Sequence, residues 1–312
     1  MTLRDRRLFL RLAGAAALSA TAAGCAREDA QVALDHSAHD HDSEGGIGGT
    51  GVFGPVTGYG SIIAAGRRIA LPDGLSAQTA FGALPAAEIP LGSVVALVAS
   101  EDAEGGLTAQ AVEVVTALAG PVTRPPDGRG AFEVMGVEVR TTRPVRVSGP
   151  DGAPQALSDL TVADRVAVSG LWRRGDLIAT RIERLAGDGP DVASGLLFPG
   201  GDRGPRIEGL RLSDEPDENF GFVVARGRWG GGLGFVASEI DRRGLDPFPA
   251  RTRRAVVEAY MARDPVGQGH HMAGVGLPRD RGSDTPVLLG VRARFEGGLD
   301  DRNFRVERAE PL

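Results

Sequence analysis

The sequence predicts an all-β chain of small tandem units, with one short helix in its C-terminal part. Three observations lead there. Glycine (46) and proline (20) make up about a fifth of the 312 residues, while aromatic residues are scarce at 5%. That balance suits many turns between short strands. Apolar residues alternate in short runs such as Val134-Met135-Gly136-Val137-Glu138-Val139 and Arg181-Ile182-Glu183-Arg184-Leu185, the period of a half-buried strand. The chain also repeats itself, which is an array signature.

Read in order, the chain opens with an address. Residues 1–25 form a signal: Arg6-Arg7 is followed by Leu8-Phe9-Leu10-Arg11 and then by a short, Ala-rich apolar stretch to Ala23. This resembles a twin-arginine export signal. The stretch is too short and too weakly apolar to span a bilayer, which takes roughly 20 apolar residues. Small residues then lead into Cys25, the only cysteine, at the place where a lipoprotein is cleaved and lipidated. The expectation is a lipid-anchored, periplasm-facing protein of the cell envelope, exported folded, with the membrane as a partner. Residues 26–50 read as a flexible tether, acidic and then Gly-rich, with little to bury.

Units follow at 51–116, 117–187 and 188–312. Gly54-Pro55-Val56-Thr57 recurs as Gly120-Pro121-Val122-Thr123, and Leu107-Thr108-Ala109-Gln110-Ala111-Val112-Glu113 parallels Leu177-Ile178-Ala179-Thr180-Arg181-Ile182-Glu183. Ser194-Gly195-Leu196 opens the third unit, and Val166-Ala167-Val168-Ser169-Gly170-Leu171-Trp172 aligns with Val223-Val224-Ala225-Arg226-Gly227-Arg228-Trp229. A degenerate fourth half-unit is expected at 287–307. Each unit has room for about five short strands, and so small a sheet must curl to bury one face. The natural form is a small OB-like β-barrel or sandwich. The helix is expected at 252–263, where Val256, Val257, Tyr260 and Met261 fall on one helical face between Pro249 and Pro265.

Three stretches carry the resemblance to a known family: residues 46–51 (Gly-Ile-Gly-Gly-Thr-Gly), 54–63 (Gly-Pro-Val-Thr-Gly-Tyr-Gly-Ser-Ile-Ile) and 162–170 (Val-Ala-Asp-Arg-Val-Ala-Val-Ser-Gly). They resemble the repeated domain of unknown function 5666 of bacterial exported proteins over residues 46–186, and more weakly beyond about 200. The resemblance implies small β-domains in an exported chain. It brings no catalytic residues.

Composition excludes several chemistries. All 35 basic residues are arginine, so Schiff-base catalysis by lysine is closed, and no thiol nucleophile follows Cys25. Removing residues 1–25 takes four Arg and one Asp and leaves 31 Arg against 40 acids. A net charge of −9 disfavours nucleic acid as a partner, since that binding rests on neutralising phosphates. No nucleophile elbow, zincin or Walker motif is present. Gly46-x-Gly48-x-x-Gly51 matches a dinucleotide fingerprint by letter only, because no strand precedes it and no helix follows.

The candidate sites are few. His36, His39 and His41 lie among Asp35, Asp40 and Asp42 in the tether and supply ligands for weak copper or zinc binding, with no cofactor required by the fold. His270 and His271 precede Met272 in a Gly-rich stretch. Trp172 and Trp229, the only tryptophans, form either a binding face or the plugs of two unit cores. No catalytic residue can be named. The leading expectation is a non-enzymatic lipid-anchored β-repeat protein that binds or scaffolds in the envelope. The alternatives are a metal-handling periplasmic lipoprotein and an envelope enzyme with an unrecognised acidic site.

Overall fold

The computed structural model describes residues 49–142, 145–198, 200, 204–214, 216, 220–242, 247–250, 252–263, 269–278, 285–300 and 303–312. Strand makes up 59% of it and no helix reaches seven residues, so the chain is all-β. Cys25, Arg6, Arg7, His36, His39 and His41 lie outside the described residues.

The first unit contains β1 (Thr50–Gly58), β2 (Ile62–Ala64), β3 (Arg67–Ala70), β4 (Ser76–Thr79), β5 (Gly82–Pro85), β6 (Val94–Glu101) and β7 (Leu107–Val115). β1 begins at Thr50, one residue inside the expected tether, and Thr50 pairs with Ala99. β1 pairs with β2, β2 with β3, β3 with β7 in parallel, β7 with β6, and β6 with β1 again. The pairing therefore returns to its starting strand. The β2–β3 turn, Ala65-Gly66, takes φ values of 47° and 71°, the left-handed pair that matches the twist of a two-residue hairpin.

The circuit recurs in β8 (Leu118–Arg124), β9 (Ala131–Val134), β10 (Val137–Arg140), β11 (Arg146–Ser148), β12 (Arg165–Arg173) and β13 (Asp176–Arg184). It recurs again in β14 (Asp191–Phe198), β15 (Arg206–Ile207), β16 (Leu210–Arg211), β17 (Gly221–Trp229) and β18 (Phe235–Arg242). There a parallel bridge between Leu212 and Phe235 supplies the closing contact.

The C-terminal part differs from expectation. Residues 252–263 contain no helix: β19 (Arg254–Arg263) is a strand, followed by β20 (His270–Met272), β21 (Arg292–Leu299) and β22 (Phe304–Pro311). β19 pairs with β20 and β21, and β21 with β22. His271 bridges Pro278, and Phe304 N–H donates to the Pro278 carbonyl at 2.8 Å. A full fourth circuit thus stands where a half-unit was expected. The physical reason is burial on two faces. Residues 255–261 are all buried, and a strand covered on both sides shows a continuous apolar run rather than alternation. Such a run matches a helical face by chance. Glu258, inside it, is neutralised by Arg292 Nε at 2.6 Å.

One irregularity marks all four units. The ladder between the fourth and fifth strands of the circuit slips at Val98/Ala99, Ser169/Gly170, Arg226/Gly227 and Glu296/Gly297. A Cβ on Gly227 would lie 2.0 Å from the Val236 carbonyl oxygen, and one on Gly297 would lie 1.9 Å from that of Arg305. The bulge brings two backbones too close for a side chain. Trp172 and Trp229 each stand two residues past it.

The units share strands' faces and edges. β1 pairs in parallel with β19, Thr50 with Arg254 through Phe53 with Val257. β14 pairs with β8 at Val192–Ala119 and Ala193–Leu118. Along β6, Val95, Leu97 and Ala99 point into the first unit's own core, while Val94, Ala96 and Val98 enter the core shared with the other units. A partly buried ion pair, Arg165 Nη1 to Asp191 Oδ1 at 2.6 Å, joins the second unit to the third. The described residues form one compact body.

Candidate functional site

Three turns from three units meet around one cleft. They are Arg174-Gly175 between β12 and β13, Glu208-Gly209 between β15 and β16, and the residues after β20. The turns nearly touch: a Cβ on Gly209 would lie 1.9 Å from the Gly175 oxygen, and one on Gly274 would lie 2.4 Å from Trp172 Cδ1. The cleft between them has a volume of about 540 Å³, within the range of small-molecule sites.

Glu208 is at its floor. It occupies the first turn position, with φ 51°, where the first two units carry the buried apolar residues Ala65 and Met135. A non-glycine residue in this region is uncommon, and a buried carboxylate there adds a desolvation cost. The Glu208 carboxylate accepts the Gly274 N–H at 2.8 Å and the Leu196 N–H at 3.4 Å, so it ties the third unit to the fourth. Burial pushes its pKa up to about 7, against the pull of those two N–H groups and of Arg206.

An aromatic wall rises beside it. The Phe198, Phe220 and His271 rings lie 5.6, 6.3 and 6.0 Å apart by pairs, and the Arg206 guanidinium stacks 4.7 Å from the Phe198 centroid. On the opposite wall, Glu133 pairs with Arg124 at 2.9 Å, Asp176 pairs with Arg140 at 3.2 Å, and Glu138 contacts both arginines. Arg174, Arg211 and Arg263 also line the cleft.

The site residues read from the sequence are dispersed. Trp172 is buried, 2% exposed, and donates its Nε1–H to the Ser194 carbonyl at 3.0 Å. Trp229 is half-buried, and its ring lies 3.1 Å from where a Gly136 Cβ would be. The two indoles share no open face. His270 and His271 are successive residues of β20, and successive strand side chains point to opposite faces. His271 lines the cleft while Met272 is fully buried. Among the described residues, no three His, Cys, Asp or Glu side chains are grouped to hold a metal ion. Sequence reasoning missed Glu208, Arg206 and Phe198. The available signal was the alignment of Glu208-Gly209 with the turns Ala65-Gly66 and Met135-Gly136, which leaves one acid where two apolar residues stand.

Residues 119–183 match the family described as a domain of unknown function, DUF5666; the matched stretch is the second unit, from β8 to β13. Searches of curated proteins and of solved structures find no match to the chain.

The raised pKa of Glu208 has a sign that can be tested. The unfolded chain loses this proton near its ordinary value of 4.5, and the folded chain keeps it to about 7. Stability from this group is therefore full below 4.5 and is lost as pH rises to 7. The loss amounts to roughly 3 kcal/mol at about 1.4 kcal/mol per pH unit. Glu208→Gln accepts the same N–H groups without ionising. Its stability relative to the parent should rise between pH 4.5 and 7 and level off above, as read by denaturant melts across that range. A difference that does not change with pH would contradict this account of Glu208.

Proposed function

We propose that this is a lipid-anchored cell-envelope protein made of OB-like closed units, acting as a non-enzymatic binding module through the cleft at Glu208. The OB-like reading is supported by the pairing order first-second-third-fifth-fourth-first, with the third and fifth strands parallel, in a five-stranded antiparallel-rich ring. The observation that carries the binding role is the convergence of three turns on one cleft of about 540 Å³ with an acid at its floor. The buried acid there is desolvated at a cost to stability. The non-enzymatic reading rests on the composition of the chain and on the lack of a nucleophile hydrogen-bonded to a base among the cleft residues described above.

Two experiments test this. The half-buried Ala262 lines the cleft from the end of β19, so Ala262→Trp should obstruct it. Small molecules released by denaturing the protein purified from its native envelope should include one held by the parent and absent from the variant. Identical contents would contradict the cleft as the binding site. Cys25→Ser should move the protein from the membrane to the soluble exported fraction. A variant still membrane-bound after a salt wash would rule out a lipid on Cys25 as the anchor.

A further inference from the structure

Four arginines line the cleft, and the carboxylates beside them are already engaged. Arg124 and Arg140 hold Glu133, Glu138 and Asp176 on one wall. Arg211 is committed to the Gly232 carbonyl. Arg174, Arg206 and Arg263 take part in no ion pair among the described residues, although the chain carries 41 acids against 35 arginines. Arg206 faces the buried Glu208 carboxyl and draws its pKa down, while Arg174 and Arg263 add positive charge at the cleft rim that no ion pair among the described residues offsets. The three guanidiniums come from three separate units, so they face one another across the space instead of lying along one strand.

We propose that the cleft takes a small organic anion, gripped through carboxylate or phosphate groups by Arg174, Arg206 and Arg263. This rests on the cleft being the binding site. Guanidinium is the side chain suited to such a ligand, because its fork of N–H donors meets two oxygens at once. Arg206 is half-buried and held over the Phe198 ring, so it is positioned before any ligand arrives. Arg174 and Arg263 are exposed at the rim. The Phe198 and His271 rings, tilted 59° to each other, also line the cleft. A cleft of about 540 Å³ accommodates a molecule of the size of citrate or larger. Binding should weaken with ionic strength, since the rim charges are screened by salt.

Calorimetric titration of the full chain with citrate, pyrophosphate, spermidine and maltotriose tests the proposal. Citrate or pyrophosphate should bind at a single saturable site. Arg174→Glu and Arg263→Glu change exposed residues outside the core. Each should weaken that binding at least ten-fold with no change in melting temperature, and Ala262→Trp should abolish it. Saturable binding of spermidine or maltotriose alone, abolished by Ala262→Trp, would overturn the anion and leave the cleft standing as the binding site. Anion binding that is equal in the parent and all three variants would overturn both. Absence of any saturable anion binding would overturn the proposal.

Discussion

Strands buried on both faces are the constraint from which the rest of this molecule follows. A unit of 65–75 residues buries little enough surface to be only marginally stable by itself. The first unit's own core is a case in point, since it contains no aromatic side chain. The answer is to use each central strand twice. β6 sends alternate residues into its own unit and into the shared core, and β19 is buried along residues 255–261. The larger side chains Phe132, Phe222, Phe235, Phe295 and Phe304 all lie in that shared core. The units then cannot string out as beads. They close on one another, and the parallel pairing of β1 with β19 joins the first unit to the fourth.

Packing of this kind dictates where a cleft can form. Turns that would face water in an isolated unit are pressed together at the junction of the second, third and fourth units. Glycine at 209 and 274 permits that approach, because a Cβ there would collide with backbone or with Trp172. Turns are poor at filling volume, so the junction keeps a cavity. Its floor is the one hairpin position where the third unit departs from the apolar pattern of its neighbours. Glu208 therefore carries two burdens, a left-handed backbone and a buried carboxylate. It is held by the N–H groups of Gly274 and Leu196. The left-handed backbone is common to this turn in the first three units, so the buried carboxylate is what sets Glu208 apart.

Much of the fold was legible in the residues. Short period-2 runs declared strands, and the alignment of Gly170 with Gly227 falls on a ladder slip that occurs at four places. The segment 252–263 was misread because periodicity presumes one buried face. A strand in the middle of the shared core has two, and Ala-Val-Val-Glu-Ala-Tyr-Met then satisfies a helical template equally well. The pairing of β1 with β19 joins residues about two hundred positions apart and leaves no local trace. The cleft was illegible for the same reason. Its members run from Glu133 to Ala273 and become neighbours only when three turns converge. The tryptophans and the His270-His271 pair drew attention by rarity. Strand alternation and core packing send those side chains to different places.

Shared strands make the four units one cooperative body. Native-state hydrogen exchange along β6, β12 and β19 tests it most directly. If the account holds, the slowest amides of all three strands exchange only through complete unfolding, with one common free energy and one common denaturant dependence. Exchange of β6 at a distinctly lower free energy than β12 and β19 would mean that the first unit opens alone, and would contradict the shared core as the source of stability.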